Sequence, residues 1–195
     1  NDAPASFSSE GPVTWMGSEW NDYILDVSVE VDPGWLCYDN GMFEANIGGS
    51  EELSWAVMFP PSKLKGCENG ELTKISMYNR VAHDGDIEIY QGGDTPNDAT
   101  LIHTQSYSCY GENGFVEFML TTPLSISTSE NLWIVMRTND GEEYPATACA
   151  VTADPNGRWL GTSDASGGTY WYNLSETDMN YTWMLRAFVT NYREG

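Results

Sequence analysis

The chain has 195 residues, 41% of them hydrophobic and 13% aromatic, which suits one sizeable domain burying roughly 70% of its unfolded surface. Eight Lys and Arg stand against twenty-nine Asp and Glu, a formal net charge of −21. Such a field repels phosphate backbones and anionic bilayers, which excludes nucleic acid and membrane surfaces as partners. It suits divalent cations, cationic patches on partner proteins and neutral glycans, and it also serves solubility alone.

Residues 1 to 12 are small and polar with two Pro, and read as a tether preceding one domain over residues 13 to 190; residues 191 to 195 are a tail. The start, NDAPASFSSEGP, is expected to be a mature terminus, with no signal peptide and no apolar run long enough to span a bilayer. Val13–Met16 and Tyr23–Glu30 are strand-like, so 13 to 34 is a linker or a partial strand pair. In the second, Ile24, Asp26 and Ser28 alternate with Leu25, Val27 and Val29. Asp32-Pro33-Gly34 makes a turn. Trp35–Asp39 follows as a strand, closed by Asn40-Gly41, and Met42 to Glu52 is a loop or irregular edge. Ser54–Phe59 is nearly continuously apolar, implying burial on both faces, and Pro60-Pro61 stops it.

Glu71–Asn79 and Asp86–Gln91 are expected to form a hairpin around Asp84-Gly85, because Gly accepts a positive φ without steric cost. Gly92 to Asp98 is turn-rich. Thr100–Ser108, Phe115–Thr121, Asn131–Thr138, Tyr144–Val151, Gly157–Gly161, Thr169–Leu174 and Tyr181–Thr190 continue as strands, with Pro123 marking an edge. No window sustains a helical period. A dozen short strands punctuated by Gly, Pro, Asn and Asp indicate an all-β chain, an antiparallel β-sandwich of jelly-roll type.

The four cysteines, Cys37, Cys67, Cys109 and Cys149, contain no CxxC pair, which argues against structural zinc. Two readings stay open. Two disulfides would form in an oxidising compartment with three connectivities, or four free thiols pack as small hydrophobes. Asn173-Leu174-Ser175 and Asn180-Tyr181-Thr182 are glycosylation sequons only for a eukaryotic secreted protein.

Several motifs recur in a familiar order: Trp35, Tyr38, Asp39 and Gly41; Leu72 to Tyr78; Ile87 to Gly93; Asn131 to Ile134; Tyr144 to Ala146; and Arg186 to Val189. That order resembles the secreted β-sandwich modules of Bacteroidetes surface proteins, similar in style to the cleaved-adhesin and hemagglutinin domains of gingipains. The resemblance covers residues 35 to 190. It implies an adhesion or accessory module, often calcium-stabilised, attached to a larger surface protein. The Asp-Gly-Asp-Gly-rich opening of those modules is absent near Trp35, so no calcium ligand is carried over.

Asp84 and Asp86 flank a glycine at the expected hairpin turn, and Asp94 and Asp98 follow the second strand. Gly-broken acidic loops supply the oxygen ligands calcium needs, making Asp84, Asp86 and Asp94 the candidate ion ligands and calcium the candidate cofactor. Solvated turn carboxylates are the plainer explanation. Asp140, Glu142 and Glu143 form a second acidic cluster. Tyr170, Trp171 and Tyr172 alternate along one strand, so at least one faces away from the core, and Trp159 and Tyr144 flank loops at what is read as the same edge. These five are the candidate ligand-binding residues, as stacking surfaces for sugar rings, although most Trp in a sandwich are core. His83 is expected on the surface beside the turn and His103 on the polar face of a strand. Neither a G-x-S-x-G nor an H-E-x-x-H sequence occurs.

The sequence therefore points to a non-catalytic extracellular adhesion or ligand-binding module, secreted or on a bacterial outer-membrane surface. Its partner is a host or cell-surface protein or a glycan. The alternatives are a carbohydrate-binding module and, behind it, a sandwich-fold glycosidase, which needs two carboxylates roughly 5 to 10 Å apart.

Overall fold

The computed structural model describes residues 34–150, 154–163 and 167–190. The expected strands Val13–Met16 and Tyr23–Glu30, and the tail, lie outside the described residues. Thirteen strands are described: β1 (Trp35–Leu36), β2 (Ala45–Ile47), β3 (Leu53–Phe59), β4 (Glu71–Asn79), β5 (Ala82–Gln91), β6 (Thr100–Tyr110), β7 (Gly114–Ser125), β8 (Leu132–Thr138), β9 (Ala146–Cys149), β10 (Trp159–Ser163), β11 (Thr169–Asn173), β12 (Thr182–Trp183) and β13 (Leu185–Val189). The only helical turns among them are short 3₁₀ segments. The chain is all-β, and the arrangement is that of a β-sandwich. No described helix is long and apolar enough to cross a membrane.

The strands form a four-stranded sheet in the order β1-β13-β4-β7, a six-stranded sheet in the order β11-β10-β3-β8-β5-β6, and a small sheet in the order β12-β9-β2. Every pairing between them is antiparallel. Period-two alternation decides which side chains meet between the layers. Ile75 and Met77 of β4 and Leu185, Ala187 and Val189 of β13 pack in one cluster with Val57 and Phe59 of β3, Ile87 and Ile89 of β5, and Ile134 and Met136 of β8. β3 is buried along nearly its whole length, as its continuous apolar run predicts, because β8 and β10 flank it and both of its faces are covered.

Side chains lock the layers at the margins. Gln105 on β6 donates from Nε2 to Met119 C=O at 3.0 Å and accepts from Thr121 N–H at 2.9 Å, tying the edge of one large sheet to the edge of the other. Asp39 is buried and receives two bonds from Arg186, at 3.0 and 2.5 Å. Arg158, also buried, donates to Tyr181 C=O and Met179 C=O, both at 2.8 Å, and so holds the segment between β11 and β12.

Three expectations change. Glu71–Asn79 and Asp86–Gln91 are not a hairpin: β4 pairs with β13 and β7, whereas β5 pairs with β6 and β8. The chain changes sheets at Arg80-Val81, and Asp84-Gly85 lies inside β5. Gly85 is there for close approach and not for a turn, since a Cβ on it would sit 2.0 Å from Arg137 C=O and 2.9 Å from the Tyr107 ring. The expected strand Trp35–Asp39 shrinks to two residues, because Asp39 caps the following turn by accepting Gly41 N–H at 2.9 Å. His83 is 4% exposed, not on the surface, because it alternates with Asp84 on β5 and therefore points inward. The cysteines are all free thiols, three of them buried, which selects the packing reading over the disulfides. Asn173 of the first sequon is likewise buried, donating to Pro155 C=O at 2.7 Å.

Candidate functional site

The outer face of the six-stranded sheet is where chemistry gathers. On β5 the inward residues His83, Ile87 and Ile89 alternate with Asp84, Asp86, Glu88 and Tyr90, which point outward. Register places Asp86 beside Arg137 of β8 on one side and Ser106 of β6 on the other, with Asp84 beside Ser108. Asp140, just past β8, completes the group. A depression of about 440 Å³ is lined by Asp84, Asp86, Ser106, Ser108, Arg137 and Asp140, among others.

Hydrogen bonds fix these groups. Ser106 Oγ donates to Asp86 Oδ1 at 2.7 Å. Asp140 Oδ2 accepts Asp84 N–H at 3.3 Å, and Asp140 N–H donates to Thr138 Oγ1, which itself donates to Asp84 C=O at 2.6 Å. Arg137 lies against Glu88 in a two-point contact, both distances 3.3 Å, and its third arm reaches Thr169 Oγ1 at 3.1 Å. Tyr90 donates to Glu88 Oε2 at 2.7 Å; burial and that bond push its phenol up to about 12, so it remains a donor. Arg137 is thus matched by Glu88, while no described cation pairs with Asp84, Asp86 or Asp140.

Beneath this face sits a buried polar pair. Tyr107 and His83 meet ring edge to face at 5.5 Å, and Tyr107 Oη and His83 Nε2 are both buried without a hydrogen-bond partner. Burial pushes the Tyr107 phenol far up and the His83 imidazole down, the latter opposed by Val81 C=O, which accepts from Nδ1 at 2.8 Å.

Further along the same face, β3, β8, β10 and β11 build a second apolar cluster from Ala56, Trp133, Val135 and Trp171, with Trp159 and Tyr90 against it. The loop between β5 and β6 folds over this cluster. Trp133 Nε1 donates to Gly92 C=O at 3.0 Å, Asn131 donates to Gly93 C=O at 2.8 Å, and Asn97 reaches Thr169 C=O at 2.8 Å. Positive φ at Gly92 and Gly93 lets the loop turn back there.

The predicted aromatic set is therefore split three ways. Trp171, 8% exposed, and half-buried Trp159 belong to the roofed cluster, with Trp159 edge-on to Trp133 at 5.3 Å. Tyr170 and Tyr172 lie on the opposite side of β11, with centroids 6.2 Å apart and ring planes 28° apart; Tyr170 is 63% exposed. Tyr144 lies far along the chain fold, at a left-handed residue beside Gly48 and Gly49. The predicted ion ligands also part. Asp84 and Asp86 share the depression, but Asp94 lies past the other end of β5, roughly 20 Å or more away at strand rise, in a second depression with Asp98 and Glu130. Among the described residues no three of His, Cys, Asp and Glu converge to hold a metal ion.

Arg137, Glu88, Ser106 and Ser108 were not foreseen. The signal for Glu88 and Tyr90 was present in the alternation Asp86, Glu88, Tyr90 against Ile87 and Ile89, and Arg137 is the one charge in the apolar run Leu132–Thr138. Ser106 and Ser108 enter only through the β5–β6 register, which no local pattern sets. Compared with known proteins, the chain matches no family model, no curated protein and no solved structure.

Proposed function

We propose that the chain is a non-catalytic recognition module of a secreted or surface-attached bacterial protein, binding a host or cell-surface protein through the acidic depression on the six-stranded sheet. The observation that carries this reading is the set of three carboxylates, Asp84, Asp86 and Asp140, held in place by strand register and hydrogen bonds and matched by no described cation. A preorganised anionic recess of this size fits a Lys or Arg side chain on a partner's surface, and the net charge of −21 steers such a partner inward. Seating the groups on strands fixes them better than loops would.

The near-parallel pair Tyr170 and Tyr172 at the edge strand β11 favours a second reading, a carbohydrate-binding module whose sugar stacks on Tyr170. One binding screen separates the two: Lys- and Arg-rich peptides in one arm, neutral glycans in the other, against the native protein, the variant Asp86→Asn/Asp140→Asn and Tyr170→Ala. The first reading expects peptide binding that drops at least tenfold in the carboxylate variant and is untouched in Tyr170→Ala. Glycan binding lost only in Tyr170→Ala supports the second. Hydrolysis of aryl glycosides that disappears with Asp86→Asn overturns the non-catalytic assignment.

A further inference from the structure

The ladder between β5 and β8 ends at Asp86–Arg137, whereas β5 runs on to Ala82 in register with β6. Beyond that pair side chains join the strands, Thr138 Oγ1 donating to Asp84 C=O and Asp140 Oδ2 accepting Asp84 N–H, and the acidic depression lies over this end of the sheet. Gly85, opposite Tyr107 in the β5–β6 register, is one of its walls. Having no side chain, it lets the Tyr107 ring pass close beneath: a Cβ on Gly85 would stand 2.9 Å from Tyr107 Oη. Tyr107 is 5% exposed and also lines the depression, yet its hydroxyl, set against Gly85, has no hydrogen-bond partner among the described residues. A buried hydroxyl left unpaired costs free energy, and a ligand that bonds to it removes that cost.

The carboxylates around the recess are only partly engaged. Asp86 Oδ1 accepts from Ser106 and Asp140 Oδ2 accepts from Asp84 N–H. Among the described residues nothing bonds to Asp86 Oδ2, to Asp140 Oδ1 or to either oxygen of Asp84. Acceptors are therefore offered by three separate carboxylates on three chain segments. That pattern suits a primary ammonium, a compact charge whose three N–H donors diverge toward different acceptors. A guanidinium is planar and matches two coplanar oxygens of a single carboxylate, the arrangement in which Glu88 holds Arg137. In the recess only Asp84 keeps both oxygens free for such a contact, and the other two carboxylates would each meet a guanidinium at one point.

We propose, resting on the recognition reading above, that the depression selects the primary ammonium of a Lys side chain over the guanidinium of Arg, with Asp84, Asp86 and Asp140 around the nitrogen and Tyr107 Oη as a further acceptor at the floor. Calorimetric titration of the full chain tests this with two peptides of one sequence, one carrying Lys and the other Arg at every basic position. The Lys peptide is expected to bind at least tenfold tighter, and acetylating its Lys side chains should abolish binding. Tyr107→Phe keeps the ring, so it should weaken the Lys peptide several-fold and narrow the preference while the melting temperature stays at or above the native value. Asp84→Asn should narrow the preference in the same direction. Equal affinity for the two peptides overturns the inference and leaves an unselective anionic recess. An unchanged preference in Tyr107→Phe, whether or not stability falls, makes the hydroxyl structural and overturns its part in the seat. If neither peptide binds, the recognition reading itself fails and the inference falls with it.

Discussion

The two outer faces of this sandwich use the same residue types in opposite ways. On the six-stranded sheet Trp133, Trp159 and Trp171 are covered by the loop after β5, and the charged side chains beside them stay open as a depression. On the four-stranded sheet the rings of Trp35, Phe188, Phe115 and Phe43 are half-buried, and their cover is supplied by cations. An aromatic residue is therefore a poor guide to a binding surface until its cover is known. A carboxylate fixed by register, with no cation assigned to it, is a better one.

The comparison breaks most visibly through the roofed tryptophans. Trp133→Ala, at a fully buried ring, should cost about 4 kcal/mol in chemical denaturation, while Trp35→Ala on the other face should cost about half that. Equal losses would mean that the two faces are covered alike. Next, Asp39→Asn leaves Arg186 without its buried partner and should cost about 3 kcal/mol, whereas Glu117→Gln, which releases the partly exposed Lys74, should cost under about 1 kcal/mol.

A pH experiment sharpens the picture beneath the depression. Burial lowers the His83 pKa in the folded chain below its usual 6.5, so the unfolded chain binds the proton first. The contribution is intact above pH 6.5 and is lost as the pH falls below it, by up to about 1.4 kcal/mol per pH unit. His83→Phe should flatten the stability profile between pH 7 and 5 relative to the native protein. An unchanged slope would place the proton uptake elsewhere. The smallest effect belongs to Tyr170→Ala, within about 0.5 kcal/mol of native stability because the ring is largely exposed; a larger loss would make the ring structural, against the stacking reading.

Period-two alternation made the strands and layers readable in advance. It located β3, β6, β7, β8 and β11 within a few residues, and it foretold the burial of β3 on both faces. What it did not reveal is which strands pair. Asp84-Gly85 carries the local chemistry of a turn, yet the absent Cβ is spent on the close pass under Arg137 C=O, a contact between residues fifty apart. The same long-range register brings Ser106, Arg137 and Asp140 to Asp84 and Asp86, and carries Asp94 away from them. Alternation along Tyr170, Trp171 and Tyr172 shows that they cannot all face the same way, but not that Trp171 is covered by the loop that folds back through Asn97 to Thr169.

The most direct measurement is an amide chemical-shift map of the labelled protein during titration with a Lys-rich peptide. If the depression is the recognition surface, perturbations concentrate at residues 84 to 88, 106 to 108 and 137 to 140, and Asp86→Asn/Asp140→Asn abolishes them with the fold intact. Perturbations clustered on β1, β13 and β4, or none at saturating peptide, would contradict it.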